Sequence, residues 1–319
     1  MKRYYLPVGL IIAIIAALVY PTPGTACKNA GLVAWAVIII FLVSGYKISL
    51  KDLGVNRRFV MVFLCAAGIN LVLASFLARY TALLLPDPML RLGLVVMATV
   101  PATLSSCVVI TGIAGGSVVW ALLLTVGLNS LGILTIPWLL QINLSATAQV
   151  EVSAMAMLQK LVLRVLLPLV VGHMLRYLPK RFSGRWLGYV PSTCVILAVW
   201  MALSKDHHAL RTASAQYLLL TAAAALWLHL VLMLLARGVS RLLRLSVSEY
   251  LPFLFVTSQK TLPIALTVLI ALERELPPAA DIGLPIMVCI VFHFLQLMVD
   301  SGLAACISRR SPATATVSA

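Results

Sequence analysis

Ten apolar runs, each close to the length of a helix that crosses a bilayer, take up almost the whole chain. They lie at about 4–20, 30–48, 59–84, 89–113, 117–142, 153–178, 185–204, 214–236, 248–272 and 282–307. A membrane-crossing helix needs about 20 predominantly apolar residues. The strands of a membrane barrel alternate apolar and polar residues over about ten positions, and these runs are continuous. The connections are short, leaving no stretch long enough for a soluble domain. Composition agrees: 62% of the 319 residues are hydrophobic and 10% are charged, whereas a soluble domain carries about a quarter charged residues. A water-soluble body of this length keeps much of its surface wet and cannot hide so much apolar area. The expected fold class is an all-α integral membrane protein with ten transmembrane helices in the lipid bilayer.

The formal net charge is +15, and its distribution orients the chain. Of 24 lysines and arginines, 15 fall in one set of loops, at 2–3, 47–58, 176–185, 237–244 and 309–310. The alternate set holds 6: Lys28, Arg79, Arg91, Lys205, Arg211 and Arg274. The other 3, Lys160, Arg164 and Lys260, lie inside runs. Basic residues are retained on the cytoplasmic side, so both termini are expected in the cytoplasm of a cell membrane, with the Ser145–Glu151 loop outside. That requires an even number of spans. No aromatic-basic motif accompanies the charge, which excludes a nucleic-acid partner. The six cysteines form no CxxC pair, so neither a disulfide framework nor a metal site is expected. The N-terminus imitates a signal peptide, with Lys2 and Arg3, an apolar run and "GTAC". The charge pattern favours its retention as the first helix.

Ten spans divide into two halves of five, at about 1–145 and 150–310, with a cytoplasmic tail at 308–319. Odd halves must run in opposite senses, the inverted-repeat arrangement of many secondary transporters. The fourth and ninth spans are then equivalents, and both are interrupted: "TVPATLSSCV" places Pro101 before Thr103, Ser105 and Ser106, and "TSQKTLP" places Ser258, Gln259, Lys260 and Thr261 before Pro263. A proline inside a helix removes a donor and clashes with the preceding turn. In lipid the freed groups need other partners. Two facing breaks near the midplane make an ion or substrate site, helix N-termini favouring anions and C-terminal carbonyls cations. The ordinary reading is a membrane proline with hydroxyls bonded to their own turn.

Lys260 is the sharpest residue. A lysine at a helix centre costs about 2.5–3.5 kcal/mol on insertion scales, so it faces protein or water. It reads as a counter-charge for an anion, a fixed replacement for a coupling cation, a proton carrier, or a structural partner of carbonyls or a carboxylate. Lys160 and Arg164, one turn apart, read as a vestibule for anions or as long stems reaching the outer interface or packing between helices. Asp300 lies late in its span, within reach of the headgroups. His293 and Gln296 share a helix face as a site edge or a helix–helix hydrogen bond. Asn70 and Asn129 are buried amides that need partners. His173 and His229 read as structural.

Six segments together carry a resemblance: "FLVSGYKISLKDL", "PATLSSCVVITGIAGGS", "LLLTVGLNSLGILTIPWLL", "VLLPLVVGHMLR", "TSQKTLPIAL" and "FHFLQLMV". Over nearly its whole length the chain resembles the bile acid:sodium symporter superfamily, in particular the divergent branch of sodium/bile-acid-cotransporter-seven-like and bacterial proteins. The resemblance implies ten helices in two inverted repeats, a core domain with crossed, broken fourth and ninth helices, and a panel domain beside it. In sodium-coupled members a Ser-Asn pair after the first break and a Glu…Gln-Asn segment at the second hold sodium. Here Ser106-Cys107 stands at the Ser-Asn pair, Phe255 at the Glu, Gln259 at the Gln and Lys260 at the Asn, with Asn70 and Thr125 at other polar ligands. Sodium needs hard oxygen ligands in number, and a lysine ammonium would repel it. The resemblance therefore implies no cofactor, with sodium coupling doubted and proton coupling its alternative.

The leading expectation is a secondary transporter of a small organic anion working by alternating access. The alternative is a regulatory or scaffold membrane protein of the same fold that affects ion homeostasis. An enzyme is not expected, because no span holds a nucleophile–base pair, paired carboxylates or a metal-ligand cluster at helical spacing.

Overall fold

In hydrocarbon a chain must satisfy its own backbone, and helices do so within one segment. The computed structural model describes residues 2–48, 56–147, 153–177, 184–207, 214–273, 275–276 and 282–310, and these are helical with no strand among them. In chain order they form α1 (Lys2–Val19), α2 (Thr22–Asn29), α3 (Leu32–Lys47), α4 (Arg57–Ala82), α5 (Pro88–Thr99), α6 (Leu104–Ile113), α7 (Val118–Thr147) and α8 (Ala154–Leu175). There follow α9 (Val190–Lys205), α10 (Ala215–Leu242), α11 (Val247–Ser258), α12 (Leu262–Leu272) and α13 (Gly283–Arg310). Six spans are long and apolar enough to cross a membrane, with α11 and α12 together forming one, and two bent pairs bring the count to eight. Helices α3 and α9 are apolar but only 16 residues long. The protein is thus a multi-pass membrane protein.

Side-chain caps set several starts. Asn56, Asp87, Ser153 and Ser214 accept from the first-turn N–H groups of α4, α5, α8 and α10, donors a helix leaves unpaired. Ser246 and Glu249 close a capping box on α11. After α1 the chain bends by 101° into α2, where the sequence suggested only a connection. Proline near its start pre-sets helical backbone, and Gly31, with a positive φ of 76°, turns the chain into α3.

The helices form two groups. In one, α1, α3, α8 and α9 pack mainly on one another; the other gathers α4–α7 and α10–α13. Helices α3 and α8 approach to backbone contact: a Cβ on Gly45 would meet the Leu169 carbonyl, and one on Gly172 the Leu42 carbonyl. Small residues allow such approach in membranes, where packing rather than apolar burial drives association. The α11–α12 span is the centre of the molecule, with 89% of its window buried against 33–44% for the other five long spans. Helix α13 runs through Arg310, so the expected tail begins inside a helix. Residues 311–319 and most of the Ser145–Glu151 loop lie outside the described residues.

Candidate binding site at two helix breaks

Both interruptions are breaks in the helix. Between α5 and α6 the residues Val100 and Thr103 are extended, and the axes differ by 62°. Between α11 and α12 the extended residues are Gln259 and Thr261. The breaks meet through the main chain: Thr261 N donates to the Pro101 carbonyl at 2.8 Å, and Thr103 Oγ1 donates to the Lys260 carbonyl at 3.0 Å. Helix α6 packs on α11 and α5 on α12, so the two broken spans contact each other on both sides of the breaks.

A helix that stops inside a membrane leaves carbonyls bare, and at the second break the carbonyls from Val256 to Lys260 find donors. Asn70 Nδ2, from α4, donates to the carbonyls of Val256, Thr257 and Gln259 at 3.3, 2.9 and 3.0 Å. His229 Nδ1, from α10, lies 3.3 Å from the Ser258 carbonyl. Gln296, from α13, clamps the Lys260 backbone, receiving its N–H at 2.8 Å and donating to its carbonyl at 2.6 Å. At the first break Asn129 Nδ2, from α7, donates to the Ala102 carbonyl at 2.9 Å.

The expected site residues separate into three sets. Thr103, Ser105, Asn129, Thr261 and His293 line one cavity of about 60 Å³, together with Ser44 and Ser192 from the other helix group. Ser106, Gln259, Lys260 and Asn70 are joined by hydrogen bonds but do not line it. Ser106 Oγ donates to Gln259 Oε1 at 3.2 Å, and Cys107 Sγ lies 3.0 Å from the same oxygen. Thr125 and Ser258 form the third set. Their hydroxyls bond back to Ala121 and Leu254 of their own helices, the ordinary behaviour of a hydroxyl in a membrane helix. His293 accepts through Nδ1 from Gln296 Nε2 at 2.9 Å.

Lys260 is fully buried. Its amine turns to the Asn70 carbonyl in α4, where Gly68–Leu73 form a π-turn. Such turns interrupt the regular ladder and recur at functional sites. No acidic side chain pairs with Lys260 among the described residues. Of the readings open from sequence, the geometry matches a carbonyl partner. A direct counter-charge in the cavity does not match, because Lys260 is absent from its lining.

One expectation needs correction. Asp300 does not reach toward headgroups: it is 0% exposed, accepts from Gln259 Nε2 at 2.6 Å and faces His229 Nε2 at 3.0 Å. His229 is therefore part of the polar network at the second break. The signal for Asp300 was the spacing of His293, Gln296 and Asp300, at i, i+3 and i+7 on one face of α13. Of the two readings of Lys160 and Arg164, the vestibule does not hold, because neither lines the cavity. Lys160 Nζ instead pairs with Glu275 at 3.2 Å and donates to the Ala271 carbonyl at 3.0 Å.

Ionic contacts also join the two helix groups beyond the end of α12. Glu273 takes Lys205 at 2.7 Å and Lys28 at 3.1 Å, and Lys28 also meets Asp206 at 3.2 Å. Burial raises the Glu273 carboxyl, but the Lys205 hydrogen bond and the Lys28 charge outweigh it and hold the group below the usual carboxylate range.

The model of the SBF-like CPA transporter family matches residues 4–309. An Arabidopsis thaliana protein named "Probable sodium/metabolite cotransporter BASS4, chloroplastic" is 27% identical over 98% of this chain and 74% of its own length. Its counterpart in Oryza sativa subsp. indica is 29% identical over 94% of this chain and 74% of its own length. The Escherichia coli K12 protein named "Putative symporter YfeH" is 24% identical, covering 92% of this chain and 90% of its own. The chain belongs to the SBF-like CPA transporter family, within the bile acid:sodium symporter superfamily.

Proposed function

We propose that the protein is a secondary transporter of a small organic anion, built from ten spans in two inverted repeats and working by alternating access between the two helix groups. One observation carries the choice of substrate charge. The N-termini of α6 and α12 both open onto the cavity, through Thr103, Leu104 and Ser105 and through Thr261, Leu262 and Pro263. Neither N-cap, Thr103 or Thr261, uses its side chain to cap its own helix. Each helix start carries about half a positive charge, and its free N–H groups point outward as anion donors. Ser44, Ser105 and Ser192 add hydroxyls. An anionic headgroup is thus recognised without a charged side chain in the lining.

The cavity, at about 60 Å³, is far below the roughly 300–1,000 Å³ of a typical ligand pocket. It suits a headgroup, and the rest of a substrate requires the helix groups to separate. The ion pairs that Lys28, Lys160 and Lys205 make with Glu273 and Glu275 support such a motion, because they tie the groups at one end. With both termini in the cytoplasm of a cell membrane, that end is the outer one. Lys260 supplies the positive charge that a bound cation would bring, so transport runs without sodium. The sodium in the names of the plant relatives belongs to those proteins.

The test is a thermal-shift screen of the purified protein with small carboxylates and with their neutral amides of matched size. Carboxylates should raise Tm, and the rise should shrink in Thr103→Val and Thr261→Val. Stabilisation by the amides alone would overturn the anion reading.

A further inference from the structure

We propose that His229 and Asp300 form a proton-binding site that controls the second helix break. The hydrogen-bond chemistry demands a proton there. His229 Nδ1 faces the Ser258 carbonyl at 3.3 Å, and a carbonyl only accepts, so Nδ1 carries a hydrogen. The other ring nitrogen, Nε2, lies 3.0 Å from Asp300 Oδ1. A neutral ring with its hydrogen on Nδ1 would set a lone pair against a carboxylate. With both contacts kept as hydrogen bonds, one further proton lies in this bridge, either on the imidazole beside a carboxylate or on the carboxyl beside a neutral ring. The pair is then neutral overall. Releasing the proton to solvent leaves a neutral histidine, an ionised aspartate and a net charge of about −1 in a fully buried place.

The site is wired to the break on both sides. Asp300 Oδ2 receives Gln259 Nε2 at 2.6 Å, and Gln259 Oε1 receives Ser106 and Cys107 of α6. The Ser258 carbonyl that His229 holds is among the last of α11. Loss of the proton sets repulsion against the His229–Asp300 contact, and relief requires His229 or Gln259 to let go of the break. The carboxylate therefore comes from α13, while position 255 in α11 is a phenylalanine.

The titratable neighbours are few. Cys107 on α6 reaches the same Gln259 oxygen. Lys260, in the break, turns its amine to Asn70 on α4. His293, two turns along α13, is bonded to Gln296. Further off, Arg237 on α10 pairs with Tyr250 on α11, Arg58 on α4 with Glu249, and Arg91 on α5 with the Leu85 carbonyl.

Use of the proton in a transport cycle rests on the function proposed above; the site itself does not, and its test needs no substrate. Tm of the purified protein is followed between about pH 5 and about pH 9, alongside infrared difference spectra over the same range. In Asp300→Asn the amide can donate to a neutral His229 and accept from Gln259, closing the network without an exchangeable proton. The unmodified protein should lose at least about 2 °C more than Asp300→Asn as pH rises, with an imidazole or carboxyl band that the variant lacks. Lys260→Gln should keep both signals. Identical pH profiles for the unmodified protein and Asp300→Asn, or loss of the signals in Lys260→Gln, would overturn the proposal.

Discussion

The two breaks occupy spans that sequence pairs as equivalents, yet they are built differently. At the first, α5 and α6 diverge by 62° around Pro101, while α11 and α12 form one 26-residue span despite their break. The second is the better supplied: Asn70, His229, Gln296 and Thr103 together serve the five consecutive carbonyls from Val256 to Lys260. At the first, Thr261 and Asn129 serve the carbonyls of Pro101 and Ala102. A proline alone therefore does not decide how a membrane helix behaves at a break. What decides it is how completely other elements replace the lost ladder bonds. The second break is the anchor and the first the more open, although a helix start at each lines the cavity.

The largest effect that could upset this contrast comes from Asn70→Leu. It strips three buried carbonyls of their donor, at roughly 1–3 kcal/mol each, so unfolding in detergent should show a loss on the order of 4 kcal/mol. Asn129→Leu removes the side-chain donor of the Ala102 carbonyl at the first break, for a loss of about 1 kcal/mol. Equal losses in the two variants would erase the distinction between anchor and open break.

Lys260→Met sharpens the contrast from the other direction. A buried ammonium with no ion pair is expensive, and an apolar side chain of similar length should stabilise the protein by about 1–3 kcal/mol. Transport should be lost in the same variant. A fall in stability would instead make Lys260 a structural member of the anchor.

A smaller effect lies beyond the end of α12. Because the folded-state carboxyl of Glu273 is held below its usual range, its contribution is present at neutral pH and fades as pH falls through that lowered value. Glu273→Gln should cost about 1 kcal/mol or less at neutral pH. The Tm difference from the unmodified protein should close in acid below the usual carboxylate range. A difference that stayed constant with pH would mean that the ion pairs do not tie this end of the anchor span.

Much of this was legible in the amino-acid order because apolar length and proline act locally. Every apolar run contains a helix at its place, and both breaks fall at the quoted motifs. The depth of Lys260 in its run announced burial. Its direction did not follow, because that depends on the carbonyl offered by the α4 π-turn. Thr125 and Ser258 look like ligands by residue type, yet a hydroxyl that can reach its own preceding turn commonly does so. Asp300 was misplaced because depth was judged from distance along the run; its partners come from α10 and α11, far away in sequence. Helix α2 is short and polar, so its pattern did not separate it from a connection.

The proposal that Lys260 supplies the charge a coupling cation would bring has a direct consequence for sodium. The most direct test is Tm of the purified protein, at fixed pH and ionic strength, as sodium replaces potassium. Superimposable melting curves are expected at every ratio of the two ions. A saturable rise in Tm specific to sodium would show that the cation still binds, and would contradict the assignment of its place to Lys260.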